Sequence, residues 1–79
     1  MLSEPMTLYK LMNLYMLKKV NFPLTNAQLT DFFLQHEYAS YFTLQQALGE
    51  LKDSGLIHAE STHSTTRYEI TREGEETLT

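Results

Sequence analysis

Between Leu24 and Thr71 the chain is punctuated in an order that few folds can satisfy. A helix start at Leu24-Thr25-Asn26-Ala27-Gln28-Leu29 is followed by a helix stop at Gly55-Leu56-Ile57. An alternating stretch, Tyr68-Glu69-Ile70, then runs into Thr71-Arg72-Glu73-Gly74. Thr25 to Gln28 has the form of a capping box: the Thr hydroxyl accepts the N–H of the third helical residue, and the Gln amide reaches back to the cap N–H. Leu24 before the cap and Leu29 at the fourth helical position complete a hydrophobic staple. Leu29, Phe32 and Phe33 continue on one face, and this helix is expected to end near His36-Glu37, with Tyr38-Ala39-Ser40 as the turn. In the next helix Leu44, Ala47, Leu48 and Leu51 recur at the spacing of a buried stripe. Ser40 or Thr43 can cap it, and Ser40 gives the more usual length. Gly55 supplies the left-handed residue that stops it.

Two short strands are expected at Leu56 to Thr62 and Arg67 to Thr71, joined by the polar loop His63-Ser64-Thr65-Thr66; Tyr68 and Ile70 alternate with Arg67, Glu69 and Thr71. Thr71 then caps a helix entered through Arg72-Glu73-Gly74-Glu75. Upstream, a helix is expected from Pro5 to Val20, because proline suits a first helical turn. Leu8, Leu11, Met12 and Tyr15 form one stripe on it, but Met6, Tyr9, Leu14, Met16, Leu17 and Val20 populate the other sides. A surface helix carries its apolar residues on one side. This one therefore implies a further contact, a dimer or a following domain, with Met6, Tyr9, Met16 and Val20 as candidate interface residues. The final Glu75-Glu76-Thr77-Leu78-Thr79 reads as a helix start without a stop, so residues 1–79 are expected to form one domain in the N-terminal part of a longer protein.

Composition excludes several classes. With no cysteine, a disulfide framework and a thiolate metal site are ruled out. His36, His58 and His63 include no pair at i, i+4, so no metal site is expected. There is no nucleophile with a base at motif spacing and no glycine-rich phosphate loop, so neither an enzyme nor a cofactor is expected. The apolar run Leu8 to Leu17 is broken by Lys10 and Asn13 and is too short to span a bilayer. Lys18-Lys19 follow it instead of preceding it, unlike a signal peptide. A cytoplasmic protein without membrane contact is the expectation.

The stretch from Leu44 to Ile57, followed by Arg67-Tyr68-Glu69-Ile70-Thr71-Arg72-Glu73-Gly74, resembles the PadR and MarR types of bacterial winged-helix regulators. In that pattern a helix ending in Gly-Leu-Ile leads into the wing, and Tyr-x-Ile/Leu-Thr-x-x-Gly closes it. Leu8-Tyr9-Lys10-Leu11, Phe22-Pro23-Leu24-Thr25 and Tyr41-Phe42-Thr43-Leu44-Gln45-Gln46 also resemble a narrower, uncharacterised family of winged-helix proteins from Firmicutes, whose members are longer than this chain. The resemblance implies an α+β winged helix-turn-helix: a three-helix core, a small antiparallel β-wing and a truncated fourth helix. It further implies a transcriptional regulator that binds double-stranded DNA as a homodimer. Carried over residue by residue, the recognition-helix surface falls on Tyr41, Phe42, Gln45, Gln46 and Gly49, and the wing tip on His63, Ser64, Thr65, Thr66 and Arg67.

Chemistry fits that assignment unevenly. Gln45 and Gln46 can each hydrogen-bond adenine in a bidentate way, and the Thr43 hydroxyl can reach phosphate or base. Glutamines on an exposed helix face are also simply good helix formers. Arg67 can meet phosphate or enter the minor groove, or pair across the strands with Glu60. Where such regulators often place arginine or lysine, this chain has Gln46 and Glu50, and Lys52 offsets only one of Glu50 and Asp53. Of the two adjacent aromatics, Phe42 is expected in the core and Tyr41 near the surface. Six basic against ten acidic residues give a net charge of −4, without the basic footprint of a typical DNA binder. A second reading therefore stands beside the first: a winged-helix protein–protein interaction or oligomerisation module without specific DNA binding.

Overall fold

The capping box closes in both directions. The Gln28 N–H donates to Thr25 Oγ1 at 3.0 Å, and the Thr25 N–H donates to Gln28 Oε1 at 2.9 Å. The computed structural model describes residues 3–20, 22–35 and 41–78, with residues 3–5 by their backbone only. The elements are α1 (Ser3–Lys19), β1 (Leu24–Thr25), α2 (Asn26–Gln35), α3 (Tyr41–Asp53), β2 (Ile57–Ser61), β3 (Thr66–Ile70) and α4 (Arg72–Thr77). The three strands form one antiparallel sheet in the order β1-β3-β2, with Leu24 opposite Tyr68 and Ile57 opposite Ile70. This α+β arrangement is compatible with a winged helix-turn-helix. Helix α3 begins at Tyr41, before Thr43, whereas Ser40, the turn and His36-Glu37 lie outside the described residues.

Helix α3 stops as its glycine requires. Gly55 has a φ of 78°. The Leu56 N–H bonds to Leu51 O and the Gly55 N–H to Lys52 O, both at 3.0 Å, which is the paired pattern of a Schellman ending. The same turn is gripped by the start of α4. The Thr71 N–H donates to Leu56 O at 3.1 Å, and its hydroxyl donates to Gly55 O at 2.7 Å. That hydroxyl also accepts from the Gly74 N–H at 3.1 Å, capping α4. Two motifs that lie well apart in the chain, Gly55-Leu56-Ile57 and Thr71-x-x-Gly74, are thus one structural unit.

The core unites Leu14 and Leu17 of α1, Leu29 and Phe33 of α2, and Leu44, Leu48 and Leu51 of α3 with Leu24, Ile57 and Tyr68 of the sheet. Both residues of the expected staple, Leu24 and Leu29, belong to it.

Helix α1 departs from the sequence reading in two ways. It starts at Ser3, ahead of Pro5; proline is tolerated there because N–H groups throughout the first turn lack helical partners. Its inward face is Asn13, Leu14 and Leu17. The stripe that the spacing picks out is largely the outer one, with Leu8 55%, Leu11 40% and Tyr15 60% exposed. Of the expected interface residues, Met6 and Tyr9 are half-buried, and Met16 and Val20 pack against the core. A helix apolar nearly all round does not specify its own rotation. Here the fit of Leu14 and Leu17 into the core decides it. Outside the core, α1, α2 and α4 border an apolar groove of about 720 Å³ that includes Leu11, Tyr15, Phe32 and Leu78. No described helix is long and apolar enough to cross a membrane.

One inward residue of α1 is polar. Asn13 is fully buried; its Nδ2 donates to Tyr9 O at 2.8 Å, and its Oδ1 has no hydrogen-bond partner. Burying an unpaired carbonyl costs about 1–3 kcal/mol, and leucine has the same number of side-chain heavy atoms as asparagine. Asn13→Leu is therefore expected to stabilise the chain by about 1–2 kcal/mol, read as a raised urea midpoint with unchanged slope. A lowered midpoint would mean that Oδ1 is satisfied in solution.

Candidate nucleic-acid interface

Helix α3 is held against α2 and the sheet by a polar joint. Asn26, the first residue of α2, and Gln45 of α3 exchange two amide hydrogen bonds. Asn26 Nδ2 donates to Gln45 Oε1 at 2.8 Å, and Gln45 Nε2 donates to Asn26 Oδ1 at 3.0 Å. Gln45 Nε2 also lies 3.3 Å from Thr30 Oγ1, and the Thr30 hydroxyl donates to Asn26 Oδ1 at 3.1 Å. Asn26 Nδ2 reaches Tyr68 Oη of β3 at 3.1 Å, which ties the joint to the wing strands. The resemblance puts Gln45 on the recognition-helix surface as a base reader. In the structure both ends of its amide are engaged inside the joint, which orients the helix. The joint was not legible in the sequence, because Asn26 and Gln45, 19 positions apart, and Asn26 and Tyr68, 42 apart, meet only in the folded chain.

The outward face of α3 is different. At about 100° per residue, the buried Leu44, Ala47, Leu48 and Leu51 define one side, and Phe42, Gln46 and Gly49 fall on the other. Phe42 is 77% exposed, which corrects its expected place in the core; its position lies roughly opposite Leu44 on the helix. Tyr41 is 58% exposed, Gln46 and Gly49 are exposed, and Thr43 is half-buried.

The acidic part of α3 lies in its second half. Glu50 forms an ion pair with Lys10 of α1, and Gln46 Nε2 donates to Glu50 Oε2 at 3.3 Å. The hydrogen bond from Lys10, then that from Gln46, hold the Glu50 carboxyl below the usual carboxylate range. Gln46 keeps its carbonyl oxygen and a second amide N–H for another partner. Asp53 and Lys52 are exposed in the last turn.

In the wing, the Thr62 N–H bonds to Thr65 O at 2.8 Å, and the Ser61 and Thr66 hydroxyls meet at 3.0 Å. His63, Ser64 and Arg67 are exposed, whereas Thr65 and Thr66 are half-buried. Arg67 stands opposite Glu60 in the ladder, but among the described residues the two form no ion pair. Between the wing and the starts of α2 and α3 runs a polar groove of about 640 Å³. Its hydroxyls come from Thr25, Thr30, Tyr41, Ser64, Thr65 and Thr66, and its one carboxylate from Asp31.

Three of the cations, all on α1, have neighbours that engage them. Lys10 is paired with Glu50. Lys18 shares a groove with Glu69 and Glu75, and Lys19 Nζ lies 5.7 Å from the Tyr15 ring centroid. No cluster of three or more potential metal ligands occurs among the described residues; His58 and His63 are exposed, and His36 lies outside those residues.

The family described as a domain of unknown function, DUF4364, matches residues 9–79, and the chain belongs to it. No curated protein and no solved structure matches the chain.

Proposed function

We propose that this chain is the DNA-binding module of a cytoplasmic, dimeric transcriptional regulator related to the PadR and MarR winged-helix types. The observation that carries this reading is the division of labour on α3. One side and the Gln45 joint hold the helix in place, while Phe42, Gln46 and Gly49 stand exposed on the other. Helix-turn-helix modules read base edges mainly with the N-terminal residues of the recognition helix, and the first half of α3 contains no carboxylate. Hydroxyls of the groove between wing and helices are suited to phosphate oxygens, with Arg67 the wing cation. Two copies would offset the low charge of one module by binding two half-sites together. Leu8, Leu11 and Tyr15, spaced along the exposed side of α1, offer a seam for such a pair.

The test is binding to a random double-stranded DNA pool across a salt series. Affinity is expected to fall steeply with salt. Arg67→Ala should weaken all sequences alike and reduce the salt slope by about one, whereas Gln46→Ala should relax preference at one position. Absence of binding above background at low salt overturns the proposal.

A second reading is favoured by a specific observation: two adjacent exposed aromatics, Tyr41 and Phe42, on a chain of net charge −4. Such a patch also fits a protein-docking surface, since aromatics are enriched at interfaces. In that case Tyr41→Ala and Glu50→Lys would disrupt a defined complex and leave DNA binding absent throughout.

A further inference from the structure

We infer that Phe42 reads the 5-methyl group of a thymine in the major groove, with Gly49 keeping the helix surface open so that the bases can approach; this rests on the DNA-binding reading above. Three observations converge on it. First, Phe42 is 77% exposed, so the fold does not use it as core. Its ring is open to a partner from outside the chain, and phenylalanine is among the side chains that contact thymine methyls.

Second, Gly49 is exposed in the interior of α3, and a Cβ placed there meets nothing within 4 Å. Its backbone is helical and its neighbourhood empty, so packing gives no reason for a residue that weakens helices relative to alanine. Close approach by something outside the chain does.

Third, Gln46 lies between them on the same face and keeps one amide N–H and its carbonyl oxygen for adenine. Side chains at i and i+4 are about 6 Å apart, close to two base-pair steps of about 3.4 Å. Phe42 and Gln46 can therefore address a thymine and an adenine one or two steps apart. The carboxylates of the helix, Glu50 and Asp53, lie beyond them toward its C-terminus.

The experiment begins with selection from a random double-stranded DNA pool. Each thymine of the winning sequence is then replaced in turn by deoxyuridine, which removes only the methyl group. The wild-type chain should lose about fourfold in affinity at one thymine per half-site, the worth of one buried methyl. Phe42→Ala should bind the thymine sequence at least about fourfold more weakly and show no response to that replacement. Gly49→Ala should raise the melting temperature while weakening DNA binding several-fold. Indifference of the wild type to every uracil replacement overturns the inference and leaves the DNA-binding reading intact. So does a uracil response that survives in Phe42→Ala, or full DNA affinity in both variants, which would assign the patch to a protein. If no DNA is selected at low salt, both fall together.

Discussion

Gly74→Ala is expected to destabilise the chain by about 3 kcal/mol, the upper range for forcing an extra group into a filled site. A Cβ at Gly74 would overlap the carbonyl oxygen of Leu56 and come within 2.7 Å of Ile70 Cγ1. Neither neighbour yields easily. Leu56 O is the acceptor of the Thr71 N–H, and Leu56 itself is the residue after the left-handed Gly55. Moving that carbonyl would disturb the end of α3 and the cap of α4 together. A chain of this size has a total stability on the order of 4–12 kcal/mol, so the loss should appear as a large drop in urea midpoint. A midpoint within error of the wild type would show that α4 can retreat from the turn at no cost.

The second large effect is expected at Asn26. Asn26→Ala removes the two amide bonds to Gln45 and those to Tyr68 Oη and the Thr30 hydroxyl. It also leaves the half-buried Gln45 amide without its main partner. At about 0.5–1.5 kcal/mol net per hydrogen bond, with some bonds replaced by water, the cost should be about 2–3 kcal/mol. Because Asn26 and Gln45 act as a pair, the double variant Asn26→Ala/Gln45→Ala should be less destabilised than the sum of the singles, with about 1–2 kcal/mol of coupling. Strict additivity in chemical denaturation would show that the two amides do not depend on each other. On the DNA-binding reading, Asn26→Ala also weakens all sequences evenly, since it disturbs the placement of α3 and not its reading face.

Much of the frame was legible locally. The Thr25–Gln28 box, the stop at Gly55, the Thr71 cap and the buried stripe of α3 each depend on residues within one or two turns of chain. Gly74 was visible as part of a recurrent pattern, but its reason, contact with Leu56 across the α3–β2 turn, was not. The candidate site was less legible. Gln45 and Gln46 are neighbours with identical chemistry, yet one closes a joint with Asn26 and the other faces outward. For Phe42, aromatic character pointed inward, while the helical phase fixed by Leu44, Ala47, Leu48 and Leu51 turns it out.

By itself, then, the sequence determined the capped start of α2, the stop of α3 at Gly55, the cap of α4 at Thr71 and which side of α3 is buried, because caps, stops and periodicity act through neighbouring residues. It also set the absence of cysteine chemistry and the acidic balance. Only the tertiary structure decided which side of α1 faces the core, which of two adjacent glutamines is available, and why Gly74 has no side chain. Those outcomes depend on surfaces brought together from distant parts of the chain, and local spacing carries no record of them.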